Sequence, residues 1–165
     1  MINVTENVKT AFKSDDFKGN FTLTIGNTNY TPSNILSNST SLIESLCSSE
    51  NIDFNSVEKS ELTTTLINID TTISDLLGST LTLTQTVLNE TIPYGVFTIV
   101  DVVNDGDYLY EITAYDNLHK FDVDVSAWWN DELTFPITVR NLLISLCTKV
   151  GVSYNFPSSF TNSEK

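Results

Sequence analysis

The feature that most constrains this chain is the run Ile92–Phe121, in which two alternating segments flank an Asp-Gly turn. In residues 96–101 and 108–114, β-branched and aromatic side chains recur at every second position. The sequence between them, Asn104 to Asp107, is rich in turn-forming residues. A period of two around an Asp-Gly pair predicts a β-hairpin. Beyond the second strand, Asp116 is placed to cap a short helical turn.

Other segments extend the β pattern on the N-terminal side of this run. Residues 21–35 predict a first hairpin, whose second strand Pro32 confines to an edge or a strand start. Residues 41–47, 61–70 and 79–87 predict three more strands, and residues 52–54 a brief extended piece. In residues 61–70, the alternation places Leu62, Thr64 and Leu66 on one face and Thr63, Thr65, Ile67 and Ile69 on the other. In residues 79–87, it places Leu81, Leu83, Gln85 and Val87 on one face and threonines on the other, which predicts a half-buried strand.

Helical spacing is found near the two ends of the chain. Val4, Val8, Ala11 and Phe12 form a narrow stripe that predicts a short helix within residues 3–14, with Thr5 as its cap. A second helix is predicted at about 139–150, between Thr138 as N-cap and Gly151 as the terminating residue. Its apolar stripe consists of Leu142, Leu143, Leu146, Cys147 and Val150.

These patterns predict a mainly β fold of the α+β class. We expect residues 1–134 to form a barrel-like antiparallel β domain that carries a short N-terminal helix. We expect residues 135–165 to begin a second, truncated region that contains the C-terminal amphipathic helix. At 165 residues, the chain has room for one domain, or one domain and part of another.

The charge balance argues against nucleic acid and anionic membranes as partners. The chain has 21 acidic and 8 basic side chains, for a formal net charge of −13. Such a field repels phosphate, and the basic residues do not cluster. No apolar run approaches the ~18 residues of a membrane span, and no signal peptide is recognisable at the N-terminus. A solvated surface explains the acidic residues, and a cation-binding or basic-partner surface is the alternative.

Residues that usually carry chemistry are sparse and scattered. His119 is the only histidine, and no Gly-x-Ser-x-Gly sequence accompanies it. Cys47 and Cys147 stand far apart in apolar settings, which favours two free thiols over a disulfide or a metal site. We therefore predict no catalytic residue, no metal ligand and no cofactor, and a protein that is not an enzyme.

Trp128 and Trp129 are the candidate interaction residues. They lie together in a predicted acidic loop. Adjacent aromatic side chains of this kind pack under a loop, anchor a protein interface or stack on a sugar. The sequence leaves these three interpretations open.

Four segments, taken in order, resemble a recurrent pattern in bacteriophage tail-hub proteins. This family includes minor structural, tail-associated lysin and prophage endopeptidase tail proteins. The segments are Leu46-Cys47 with Phe54–Leu62, Ile92–Ile99, Ile112–Asp122, and Phe135–Val152. Asn55 stands where the family usually has glycine. Each segment alone is weakly specific, whereas four in the same order are more specific, and they extend over nearly the whole chain.

The resemblance implies the N-terminal piece of a phage or prophage tail-tip hub. In such proteins, β domains form a trimeric ring at the end of the tail and join the distal tail protein to the tube exit, near the tape measure. Any peptidoglycan-cleaving or receptor-binding region would lie farther along the chain. The implied location is the virion tail tip, after synthesis in the bacterial cytoplasm. The alternative is a carbohydrate-binding or adhesin module, which rests on the two tryptophans.

Overall fold

The computed structural model describes residues 4–15, 17, 19–44, 59–106 and 108–157. The chain divides into two compact units, residues 1–116 and residues 117–165. The first unit holds every strand of the described part of the chain, and the second holds two α-helices and a 3-10 helix. The domain boundary that the sequence predicts, after residue 134, stays a prediction.

A seven-stranded antiparallel sheet forms the first unit, which confirms the mainly β prediction. The strand order is β2-β1-β5-β6-β7-β4-β3. Two short helices accompany the sheet: α1 (Glu6–Ala11) and α2 (Ile73–Leu76). The strands are β1 (Asn20–Ile25), β2 (Thr28–Tyr30), β3 (Ser41–Ile43), β4 (Glu61–Ile67), β5 (Thr80–Val87), β6 (Glu90–Asn104) and β7 (Leu109–Tyr115).

The side chains of β4 and β5 alternate as the sequence pattern predicts, and the structure shows which face of β4 is buried. Leu62, Thr64 and Leu66 of β4 are each at most 2% exposed, and the predicted inward residues of β5 are also buried. Hydrophobic side chains from β1, β4, β5, β6 and β7 meet in one core. The predicted strand 41–47 is confirmed only as β3, since residues 45–58, including the predicted extended piece 52–54, lie outside the described residues.

The central hairpin of β6 and β7 is confirmed, but β6 does not alternate strictly. Its register shifts opposite Leu83/Thr84 of β5 and again between Ile99 and Asp101. Each shift is a β-bulge, which adds one residue and reverses which side chains face inward. This explains why the buried side chains of β6 change parity along the strand. They are Ile92, Phe97, Ile99 and Val102.

The prediction of a barrel is corrected, because the sheet curls without closing. Ile35 forms a β-bridge with Leu66 of β4, on the side of β4 that faces away from β7. In the strand order, this side is six positions away from β2. In a flat sheet, six steps of about 4.8 Å would separate these positions by about 29 Å. The chain from Tyr30 to Ile35 spans at most about 15 Å, because it includes a turn in which Asn34 N donates to Thr31 O. The two edges therefore approach each other, yet no ladder joins them within the described residues.

The segment from Tyr30 to Ile35 also corrects the prediction of the first hairpin. β1 and β2 pair around Gly26, whose φ of 57° suits the tight turn. Ile35, which the sequence pattern assigns to the second strand of this hairpin, instead bridges β4. Pro32 lies between the two, where it cannot continue a ladder.

Helix α1 covers a smaller core at one end of the sheet. Val8 is 1% exposed and packs with Val87 and Ile92. Thr5 occupies the predicted N-cap position, but its side chain makes no capping hydrogen bond within the helix. Its Oγ1 instead donates to Glu90 Oε2 at 2.8 Å, which ties the helix start to β6.

Gly19 lies against a buried polar pair. Tyr94 Oη donates to Gln85 Oε1 at 2.6 Å, and Gln85 is 3% exposed. A Cβ atom added to Gly19 would lie 2.3 Å from Gln85 Nε2 and 2.8 Å from the Phe17 ring. Only glycine therefore fits here without displacing the Gln85 amide.

We expect Gly19→Ala to destabilise the first unit by about 1–3 kcal/mol, because the new methyl group overpacks this site. The measurement is urea denaturation of the variant and the wild type. Gln85→Ala in the same chain is the matched control, since it removes the group that the methyl group would meet. The double variant should lose less stability than the two single variants together. Additive losses would show that Gly19 does not contact Gln85.

The second unit consists of a 3-10 helix, η1 (Asn117–Phe121), and the helices α3 (Ser126–Asp131) and α4 (Val139–Val150). The C-terminal helix is confirmed with the predicted bounds. Thr138 accepts a hydrogen bond from Asn141 N at 3.3 Å, and Gly151 ends the helix in the left-handed conformation with φ 72°. Cys147 is a buried free thiol, whereas Cys47 lies outside the described residues.

Candidate interaction surface

The two tryptophans occupy a helix and not the predicted loop. Both lie in α3, and this corrects the sequence interpretation. Consecutive positions on a helix differ by about 100°, so the two side chains point in different directions. Trp128 is 7% exposed and Trp129 is 43% exposed. Packing therefore accounts for Trp128, and of the two only Trp129 presents a ring to solvent.

Asp124 provides the local reason for a helix at this point. Its Oδ1 accepts a hydrogen bond at 2.8 Å from the backbone N–H of Ser126, the first residue of α3. A carboxylate at a helix start satisfies a donor that has no partner inside the helix. The hydrogen bonds from the Ser126 backbone and side chain lower the pKa of Asp124 below its usual value. The sequence interpretation missed this hydrogen bond because it placed the two tryptophans in an acidic loop.

We expect α3 to lose this cap in acid. A lowered folded-state pKa means that the Asp124 carboxylate stabilises the folded state above its unfolded pKa of about 3.9. That stabilisation is lost as the pH falls through the lower, folded-state value. The measurement is an NMR titration from neutral pH into acid, in which the Ser126 amide signal should move upfield together with the Asp124 titration. In Asp124→Asn, that movement should be absent. If the Ser126 amide signal of the wild type does not move in the acid range, the hydrogen bond from Ser126 to Asp124 is contradicted.

Trp129 belongs to an exposed aromatic pair with Phe135. The ring centroids are 5.6 Å apart and the rings are tilted by 46°. Phe135 is 53% exposed. We call Trp129 and Phe135 the aromatic patch. Offset and tilted ring pairs of this kind retain apolar area that a binding partner can cover.

Charged side chains lie close to the patch in sequence. Asp131 and Glu132 follow the tryptophans at the end of α3. Lys149 Nζ lies 2.9 Å from Glu132 Oε1, so an ion pair joins the end of α3 to the last turn of α4. Both side chains are largely exposed, and such a pair contributes under about 1 kcal/mol. The segment that follows Trp129 in sequence is therefore charged.

A second charged cluster lies on the β4–β7 side of the sheet. Lys59 Nζ lies 4.2 Å from the centroid of the Tyr115 ring, within the range of a cation–π contact. Partial burial raises the pKa of Tyr115, and the nearby Glu61 and Asp101 carboxylates raise it further. The register that brings Glu61 opposite Tyr115 creates this cluster. The sequence could not show it, because these residues come from three distant segments.

The described residues contain no cluster of metal-ligating side chains. Within residues 4–44, 59–106 and 108–157, as far as they are described, no three His, Cys, Asp or Glu residues lie close enough to hold a metal ion. His119 lies on the 3-10 helix η1, as the predicted helical turn required. The absence of catalytic activity stays a prediction. None of the helices described is long and apolar enough to cross a membrane.

Comparison with known proteins gives one distant likeness. No protein-family model matches the chain, and no curated protein matches it. The fold is similar to a chain of a solved structure described as "Virion of native gene transfer agent (GTA) particle". The TM-score is 0.47 and the sequence identity is 7%, over 68% of this chain and 44% of the other. The chain thus spans less than half the length of the virion chain, and so distant a likeness carries no argument about function.

Proposed function

We propose that this chain is a structural component of a phage-like virion and, more specifically, of the tail tip of a phage or prophage. In this proposal it forms part of the baseplate hub, which links the end of the tail tube to the receptor-binding or penetration apparatus. Its partners are further copies of itself, as a trimer, together with the distal tail protein and the tape-measure end of the tube. Its own residues catalyse no reaction.

The observation that carries the proposal is the order of the four family-like segments. Three of them fall at boundaries or irregularities of the fold that fix its geometry. Ile92–Ile99 includes the first bulge of β6, where Pro93 and Gly95 lie on either side of the extra residue. Ile112–Asp122 covers the end of β7 and the 3-10 helix, and Phe135–Val152 covers α4 with both of its caps. The first segment lies largely outside the described residues.

The charge distribution supports assembly with a basic neighbour. Residues 1–116 contain 16 acidic and 4 basic side chains, so this unit carries −12 of the net charge of −13. Charge of one sign steers association and selects oppositely charged partners. In this proposal, the sheet unit binds a positively charged surface on another tail component.

Antibody labelling of purified particles tests the location. An antibody raised against this chain should label one end of the tail in negative-stain electron micrographs. Preincubating the antibody with the purified chain is the control and should remove the label. Label on the head or along the tube, with none at the tail end, would contradict the proposal.

The aromatic patch favours a second candidate function, a carbohydrate-binding or adhesin module. Trp129 and Phe135 present adjacent, partly exposed rings, which can stack on sugars. Cell-wall oligosaccharides should then shift the Trp fluorescence of the wild type and have no effect on Trp129→Ala. Unchanged fluorescence and no binding on a glycan array would eliminate this candidate.

A further inference from the structure

The place where the curled sheet stays open forms a groove. One wall is the start of β1, with Asn20 and Phe21, and the other is the segment that contains Ile35, Leu36 and Thr40. We call this the seam groove. Its volume is about 350 Å³, at the lower end of the range for ligand-binding pockets.

One wall of the seam groove has an unpaired strand edge. β2 pairs with β1 only from Leu23 to Ile25. The pair next to a two-residue turn, here Ile25 and Thr28, exchanges two backbone hydrogen bonds. Every second residue of β1 points its backbone the same way. The N–H and C=O groups of Leu23 and Phe21 are therefore directed to the same edge as those of Ile25. Within the described residues, no strand faces Phe21 on that side. An unpaired edge of this kind is a template for another strand.

The side chains around the seam groove define what it can bind. The groove-lining residues that the structure describes carry no charge, although the chain has a net charge of −13. Phe21 is 36% exposed and Leu36 is 41% exposed, so each wall offers partly uncovered apolar surface. A charged segment would lose its hydration here without finding a counter-ion. An uncharged segment would bury apolar side chains on both walls.

We infer that the seam groove binds an extended, uncharged segment of a partner protein, which adds a strand to the free edge of β1 at Phe21. Main-chain hydrogen bonds would provide affinity, and alternate apolar side chains would contact Phe21 and Leu36. This inference rests on the fold alone and does not require a location at the tail tip.

Synthetic hexapeptides that alternate threonine with valine, leucine, isoleucine or phenylalanine test the inference on the full chain. Backbone N-methylation at every second residue leaves each peptide one edge able to pair and prevents self-association. The matched control peptides have the same sequences with N-methylation at every residue. An NMR titration should show saturable shifts at residues 19–22 and 35–40, and slower hydrogen exchange of the Phe21 amide, with the half-methylated peptides alone.

A variant with a charge in the groove separates binding from folding. Leu36→Lys should weaken peptide affinity at least tenfold, and Leu77→Lys, at a similarly exposed position away from the groove, should leave it unchanged. The NMR spectrum of each variant reports whether it is folded. The inference is overturned if none of the peptides binds at millimolar concentration, if the control peptides bind equally, or if the shifts fall elsewhere on the chain.

Discussion

Leu66→Ala is expected to destabilise the sheet unit by about 2–5 kcal/mol, the usual cost of removing a buried leucine side chain. Leu66 is 0% exposed. It pairs with Tyr110 of β7 on one side, and Ile35 bridges it on the other. The substitution therefore opens a cavity at the point where the chain crosses from one edge of the sheet to the other. For a unit of this size, the loss is a large share of a total stability of roughly 6–17 kcal/mol.

The measurement is urea denaturation followed by far-UV circular dichroism. The midpoint should fall while the dependence of the free energy on urea concentration stays the same. Leu77→Ala is the matched control, because Leu77 is 50% exposed and the same deletion should cost no more than about 0.5 kcal/mol there. Equal losses for the two variants would contradict the position of Leu66 in the core.

Trp128→Ala is expected to have the largest effect in the second unit. Trp128 is 7% exposed, and truncating a buried tryptophan costs about 3–5 kcal/mol. Because α3 and α4 belong to the same compact unit, loss of α3 packing should also destabilise α4. We therefore expect faster amide hydrogen exchange throughout α3 and α4, measured by NMR or mass spectrometry.

Trp129→Ala is the matched comparison at the adjacent position. Trp129 is 43% exposed, so its removal should change hydrogen exchange little. If the aromatic patch is an interface, the same variant should weaken assembly with a partner, because exposed aromatic anchors contribute most to binding. A stable Trp128→Ala variant together with an unfolded Trp129→Ala variant would reverse the assignment of the two side chains.

Local patterns were sufficient to predict β4, β5, the central hairpin and the last helix. The alternation predicts β4 and β5 because a strand repeats every two residues, and in β5 it also separates the apolar face from the threonine face. Thr138 and Gly151 mark the ends of α4, because capping depends on a few neighbouring residues. The same reasoning failed for α3, where acidic residues next to Trp128 resembled a loop.

Features that depend on distant segments could not be predicted. The two bulges of β6 arise from its pairing with β5 and β7, so its change of buried face is invisible in strict alternation. The open seam follows from Ile35 bridging Leu66, a contact that no local pattern encodes. The pairing of Trp129 with Phe135 likewise depends on how the chain turns between α3 and α4.

A cryo-electron microscopy reconstruction of the intact particle tests the central claim, a structural role at the tail tip, most directly. The proposal predicts density for the seven-stranded curled sheet at the end of the tail, repeated around the tube axis, with threefold symmetry. It also predicts that a basic neighbour faces the acidic sheet unit. Density for this fold in the head or along the tube, or a tail end built without it, would contradict the claim.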